Sequence, residues 1–582
     1  MRRNLLPSVR PGLFVLALWP STHVAAQCVP LPVPSGGTTQ CAGAVGDIDT
    51  RPSTDVGVSL LGGASAGTIS LNSGRVDVGA PGSPATAAEI YGHAPNNSTT
   101  TQIFIYNWGT ITGQVSPAPT SLGSNWRTTQ VFNNGQMTGP VWSRLVNFQG
   151  AVVDLNRGEF FNGGTIRRAD LCSLFIDFNG TNDTDGVIED YLLTGPVAGG
   201  GAPAPFADPS CLPYRITNLG RVNGGVGLVN VVADSVGDVG RGEQVMTDLD
   251  LTNGTTGTIR GPVVMSTGRL GFTGGAIPRP TGRNAGLIEG GVLLYGSRSA
   301  SASGRLGEEA LFLNQPGGRV GGAVVVNAGR FEQADSAVFL PGTSLHPSGM
   351  TRLLSTLPDL VSGTIAVAGT HTVACVGNDP WPQGFSRADL GILELATGAT
   401  LTVSPTAECV YAGQITGPGT LRKTGSAAYI YSGTATHGST VVQQGLWFAN
   451  GTQGAMTIEN SGIVIGIGRM GDTLVRNGGR LAPGGTPGTL AAGSLTMQSP
   501  SVFEFEANAA ASDLLDVTGT VSLGRATLDA RPLGGYTHQP GRVMTMIAND
   551  GSDPVSGSFG GRAEGAEFTL GGFPFRIRYA AG

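Results

Sequence analysis

The chain has 582 residues, among them 94 Gly and 36 Pro, with only 13% charged and 6% aromatic side chains. Its formal charge of −6 becomes −9 once three leader arginines are removed, which argues against a basic nucleic-acid interface. Gly stands far above its usual ~7% share, but no strict Gly-X-Y period makes the chain collagen. Short Val, Ile, Leu and Thr runs punctuated by Gly, Asn and Pro read instead as many short strands and turns.

Residues 1–26 read as a secretory signal peptide. Arg2, Arg3 and Arg10 precede an apolar core from Leu13 to Trp19, and Val24-Ala25-Ala26 supplies small residues for cleavage. The core is too short for a membrane span. Residues 27–100 follow as an N-terminal cap with the first coils, containing alternating stretches such as Gly67-Thr-Ile-Ser-Leu-Asn.

Residues 101–345 form a repeat array. One phrase recurs as Asn107-Trp-Gly-Thr-Ile111, Asn133-Asn-Gly-Gln-Met137 and Asn162-Gly-Gly-Thr-Ile166, then around Val222, Ile259, Ile288 and Val320. The aliphatic positions step by 26, 29, 56, 37, 29 and 32 residues, with 56 about two ordinary steps. Such an interval means stacked copies of one supersecondary unit sharing a continuous core. The aliphatic position is expected to face the interior and stack on its counterpart in the next turn. Asn is read as a bend residue with a locally bonded amide and tolerance of left-handed geometry, and Gly as serving the same bend.

The double step holds residues 170–214, with two cysteines, an acidic run and a Gly-Pro-Ala stretch, and reads as a stapled loop leaving the coil. Its run Asp177-Phe-Asn179-Gly-Thr-Asn182-Asp183-Thr-Asp185 offers Asp177, Asn179, Asp183 and Asp185 as a weak calcium candidate. Calcium takes six to eight oxygens, which alternate Asp and Asn around a Gly turn can supply. The competing reading is a solvated acidic loop. A second excursion is expected over 346–411. The six cysteines outside the leader, Cys28, Cys41, Cys172, Cys211, Cys375 and Cys409, favour disulfides in an exported chain. Fifteen pairings are possible; neighbours in sequence are preferred because stacking keeps nearby turns together.

Further along, the grammar changes. Gly417-Pro-Gly-Thr-Leu421-Arg-Lys423-Thr-Gly425 leads through Tyr429-Ile-Tyr-Ser-Gly433 to Ser439-Thr-Val-Val-Gln-Gln-Gly445-Leu446. Then come Gly479-Arg-Leu-Ala-Pro483, Val502-Phe-Glu-Phe-Glu506, Asp513-Leu-Leu-Asp-Val517 and Gly557-Ser-Phe559. This series resembles the passenger-associated repeat of bacterial autotransporters and the end of their passenger domains. The resemblance divides the rest into passenger-associated repeats (412–500) and an autochaperone-like junction (501–582). It implies an all-β fold, a right-handed parallel β-helix, displayed outside the cell, whose last turns nucleate folding. Family members continue into an outer-membrane barrel; no series of amphipathic strands follows Phe559, so a truncated member or export without its own translocator is expected.

No acid, base or nucleophile constellation stands out. Gly63-Ala-Ser65-Ala-Gly67 has the spelling of a nucleophile elbow but not the strand-to-helix context. Asp335, Asp389 and Glu394 are scattered. His93, His346, His371, His437 and His538 are isolated and read as turn or surface residues, and Lys423 is the only lysine. Tyr429, Tyr431 and Trp447 read as core in preference to a carbohydrate-contact strip. The expectation is a secreted or surface-displayed structural and adhesive protein, periplasmic if no translocator exists. It needs no cofactor, is monomeric, and engages a protein or glycan ligand on host cells, matrix or bacteria. The alternative is a secreted β-helix polysaccharide lyase or hydrolase.

Overall fold

The computed structural model describes residues 27–579 except 93–100, 117–125, 146–156, 174–176, 189–191, 195–214, 231–249, 271–280, 297–304, 354–357, 381–385 and a few shorter gaps. The signal segment 1–26 and Cys211 lie outside the described residues.

The fold is a parallel β-helix. Each step of the array contributes one strand to the first of two long sheets and one or two to the second, and nearly every pairing within them is parallel. The first sheet carries the Asn positions in unbroken register: Asn107, Asn133, Asn162, Asn182, Asn218, Asn253, Asn284, Asn314 and finally Gln333. The second carries the aliphatic column: Ile111, Met137, Ile166, Ile188, Val222, Ile259, Ile288, Val320 and Phe339. Ile111, Ile188, Val222, Ile259, Ile288 and Val320 are fully buried, so the expected interior stack is present. Parallel strands covered on their inner face favour these β-branched side chains. One contiguous apolar core runs from Cys28 to Ile577.

The reason for the Asn and Gly positions differs from the sequence reading. Asn107, Asn133, Asn182, Asn218, Asn253, Asn284 and Asn314 are buried, and none has the positive φ expected of a left-handed bend. The local bond is present, Gly109 N–H donating to Asn107 Oδ1 at 3.1 Å and Gly135 N–H to Asn133 Oδ1 at 3.3 Å, but each amide also reaches the neighbouring rung. Asn107 Nδ2 donates to Asn133 Oδ1, and the chain Asn182, Asn218, Asn253, Asn284, Asn314 repeats this at 2.7 Å per link, closing on Gln333 Oε1 at 2.8 Å. A buried amide needs partners for both ends, and a copy of itself one rung away supplies them. The following Gly is required by close approach, not by φ. A Cβ on Gly135 would lie 2.1 Å from Gly109 O, and one on Gly257 would lie 2.3 Å from Asn218 O.

Of the expected loop 170–214, the strands Asp177–Asn182, Val187–Ile188 and Leu192–Thr194 form a regular rung, and residues 195–214 lie outside the described residues. Asp177–Asn182 pairs with Arg157–Asn162 and Arg215–Asn218, while Val187–Ile188 pairs with the flanking strands of the second sheet. The acidic residues of this run do not interrupt the strand pairing, so charge alone misled. Much of the described part of 346–411 likewise stays in the coil. Its Thr364–Val367 stretch pairs in parallel with Ile392–Leu395. What leaves the coil is the antiparallel hairpin of Gly349–Leu353 with Pro358–Ser362, joined by Ser386–Arg387.

At the N-terminal end Gln27–Val29 folds antiparallel onto Thr38–Ala42, with Cys28 opposite Cys41 and a disulfide between them. A third sheet starts at Thr370–Val373 and carries the stacking to Val555–Ser556. Here aromatics replace aliphatics. Tyr411, Tyr429, Tyr431 and Trp447 are fully buried, with Tyr429 stacked on Trp447 at 4.6 Å. The tyrosine hydroxyls donate to Gly391, Val376 and Gly413 carbonyls, the usual accommodation of a buried Tyr. These rings are core, as expected, and not a sugar-contact strip.

Candidate functional sites on the outer faces

Of the expected disulfides, Cys28–Cys41 and Cys375–Cys409 form; Cys172 lies in the strand Thr165–Ser173 and its expected partner Cys211 is outside the described residues. The calcium candidates are spread along a rung: Asp177 and Asn179 belong to the strand Asp177–Asn182, and Asp183 and Asp185 to the turn beyond it. Among the described residues no three His, Cys, Asp or Glu side chains gather as metal ligands. Ser65 opens the strand Ser65–Leu71, with no helix after it.

Asp389 is ion-paired with Arg387 at 2.5 Å and Glu394 with Arg330 at 2.8 Å. The histidines correct the sequence reading. His346, His371 and His437 are buried, because each finds a hydrogen-bond partner at the coil surface. His371 Nε2 bonds Ala368 O at 2.7 Å and its ring meets Phe339 edge-on; His437 Nε2 bonds Thr440 Oγ1 at 2.9 Å. Burial lowers the pKa of both, for His437 to about 4. His538 stacks on Phe573, and His93 lies outside the described residues.

Lys423 is the lysine of the passenger-like motif. It is fully buried, and its Nζ donates to Gly425 O and Gln444 O at 2.7 Å each. Burial lowers its pKa to about 8. The Gly at 425 and 445 flank this ammonium; a Cβ on Gly445 would stand 2.7 Å from Nζ. The motif Gly-x-Gly-x-Leu-x-Lys-x-Gly therefore encodes a bridge between adjacent rungs.

Two polar groups on outer faces were not foreseen. The first spans three C-terminal rungs. Glu504 and Glu506 project from Val502–Ala507, beside Asp529 and Arg531 on Thr527–Pro532. Arg480 bonds Glu504 and lies 2.8 Å from Asp529, while Arg531 lies 2.7 Å from Asp529 and 3.3 Å from Glu504. Burial, with Glu504 adding, raises the Glu506 pKa. Behind it Asp513 accepts the backbone N–H groups of Glu506 at 2.8 Å and Gly488 at 3.1 Å, and burial lifts its carboxyl to about 6. The signal in the sequence was the alternation Phe-Glu-Phe-Glu, but the arginines come from other rungs.

The second lies near the inserted hairpin. His346 Nδ1 is 2.7 Å from Asn378 O and its Nε2 2.8 Å from Ser344 Oγ. Ser386 Oγ donates to Asp379 at 3.3 Å, and Asn327 Nδ2 to Gly349 O at 3.3 Å. Burial lowers the His346 pKa. The spacing Ser-x-His was visible, but not the carbonyl that orients the ring.

Fold and disulfides define an extracytoplasmic parallel β-helix protein; no helix among the described residues is long and apolar enough to cross a membrane. No protein-family model matches the chain, and no curated protein is significantly similar to it.

Proposed function

We propose that the protein is an autotransporter-passenger-like rod, a right-handed β-helix displayed at or released from the cell surface, with a structural and adhesive role. The observation that carries this reading is the single core that, among the described residues, runs from the disulfide-closed N-terminal hairpin to Ile577. A long stack repeats its outer faces along its length, and repeated faces suit multivalent attachment more than a single catalytic cleft. The passenger-associated motif adds support, because its Lys and Gly residues all have a part in joining rungs. The ligand would be a protein or glycan on host cells, matrix or neighbouring bacteria. The test is binding of labelled protein to epithelial cells, matrix-coated plates and a glycan array, alongside surface protease shaving of the producing bacterium. Saturable binding and shaving from intact cells are expected; retention in the periplasm with no saturable binding to any of the three would refute the proposal.

A second reading, a secreted polysaccharide lyase or hydrolase, is favoured by the outer-face group of Glu504, Glu506, Asp529, Arg480 and Arg531. Carboxylates beside a basic residue on neighbouring turns are what such chemistry uses. Release of reducing ends or unsaturated products from acidic polysaccharides, lost in Glu506→Gln, would support it. No release from any substrate tested would leave the group as an ion network that ties rungs together.

A further inference from the structure

We propose that Ser344 and His346 form a nucleophile–base pair on the outer face of the coil, able to take an acyl group from a small ester. Leu345 points into the core and is fully buried, so strand alternation places Ser344 and His346 together on the outer side of Ser344–Pro347. The hydrogen bonds determine the imidazole tautomer. Asn378 O can only accept, so the nitrogen 2.7 Å from it, Nδ1, carries the proton. Nε2 is then unprotonated, 2.8 Å from Ser344 Oγ, and accepts the hydroxyl hydrogen. A nucleophile bonded to a base, with the base held by a third group, is the arrangement that activates serine; here a backbone carbonyl is that third group. Burial keeps the ring neutral, the state a general base requires.

The surroundings set the substrate class. In register with Ser344, Ala323 lies one rung before and Cys375, disulfide-bonded to Cys409, one rung after. Val325 is the neighbour of His346. A small side chain on one side, a disulfide on the other and an apolar neighbour to the base leave room for a short acyl group, not a long chain. Ser344 is only partly buried.

In the reaction the Ser344 hydroxyl proton passes to His346 Nε2 as Oγ bonds the ester carbonyl carbon. The tetrahedral adduct collapses, the ester C–O bond breaks, and the leaving alkoxide takes the proton from Nε2. Water then gives a proton to Nε2 and its oxygen attacks the acyl-serine. The acid departs, and Ser344 Oγ regains the proton.

The experiment treats the full-length exported protein with a fluorophosphonate probe and with p-nitrophenyl acetate, followed by peptide mapping. Expected is modification of Ser344, its loss in Ser344→Ala, and at least about a 100-fold slower reaction in His346→Gln, the range general-base assistance supplies. Retained protease resistance shows that each variant is folded. Should Ser344→Ala not fold, Ser344→Cys replaces it: its thiol should react with iodoacetamide at a rate that His346→Gln lowers. Modification only at other residues, or an undiminished Ser344 or Cys rate in the His346→Gln background, would overturn the proposal.

Discussion

Replacing Asn253 by Ala tests the amide ladder where it is most fully bonded. Asn253 Nδ2 donates to Asn284 Oδ1 at 2.7 Å and to Gly257 O and Leu287 O at 3.3 Å, and its Oδ1 accepts from Asn218 at 2.7 Å. The substitution deprives Asn218 Nδ2 and Asn284 Oδ1 of that partner inside a dry column. A net hydrogen bond contributes roughly 1 kcal/mol and each buried amide group left unpaired costs roughly 1–3 kcal/mol, so a loss of about 3–5 kcal/mol is expected. Gln333→Ala at the ladder end removes one link only, from Asn314 Nδ2, which keeps Gly318 O at 3.4 Å, and should cost no more than about half as much. Asn253→Asp keeps the shape but has no donor and brings oxygen against Asn284 Oδ1. Its carboxyl pKa in the folded state should rise, so the penalty is present above the unfolded carboxylate range, near ~3.9, and is relieved as pH falls. Urea denaturation gives the free energies, and hydrogen exchange should show lost protection in the rungs beside Asn253, since stacked repeats open locally. A cost for Asn253→Ala below about 1 kcal/mol, or equal to that of Gln333→Ala, would refute the cooperative ladder.

Gly257→Ala should destabilise by more than about 2 kcal/mol, because its Cβ would meet the Asn218 carbonyl at 2.3 Å; Gly534→Ala, with nothing within 4 Å, should be neutral in the same thermal melt. For Lys423, the folded pKa of about 8 lies below the unfolded 10.5, so between these values the unfolded chain holds the extra proton and stability rises with pH. Lys423→Met should abolish that rise in urea titrations from pH 7 to 11, while changing stability at pH 7 by no more than about 2 kcal/mol, since two orphaned carbonyls offset the removal of a buried cation. Opening Cys375–Cys409, which spans 34 residues, should cost about 4 kcal/mol on chain-entropy grounds. The Cys375→Ala/Cys409→Ala variant would show it as a lower urea midpoint, and an unchanged midpoint would contradict it.

The coil itself was legible in the chain because its periodicity is a property of one strand at a time. Ile111, Met137 and Ile166, and again Ile259, Ile288 and Val320, recur at steps of 26 to 32 residues, and near-equal steps can bury side chains only by stacking them. Tyr429, Tyr431 and Trp447 could be placed in the core because large aromatics are more often buried than exposed. The double step to Val222 concealed a rung because its Asn182-to-Ile188 phrase, spaced like Asn253-to-Ile259, is dressed in acids. Outward charge says nothing about what faces in.

What only the stacked structure decided are the interactions whose partners come from different turns. Asn in a single strand looks like a bend residue, and becomes an interior hydrogen-bonding group only when another Asn lies one rung above and below. Gly257 looks flexible until Asn218 O of the previous turn is seen to occupy the place of its Cβ. Lys423, His346 and the Arg480–Glu504–Asp529 group are the same case. Local spacing determines that turns repeat. Which polar groups meet is decided by the register between turns, because a hydrogen bond depends on atoms about 3 Å apart that the chain separates by tens of residues.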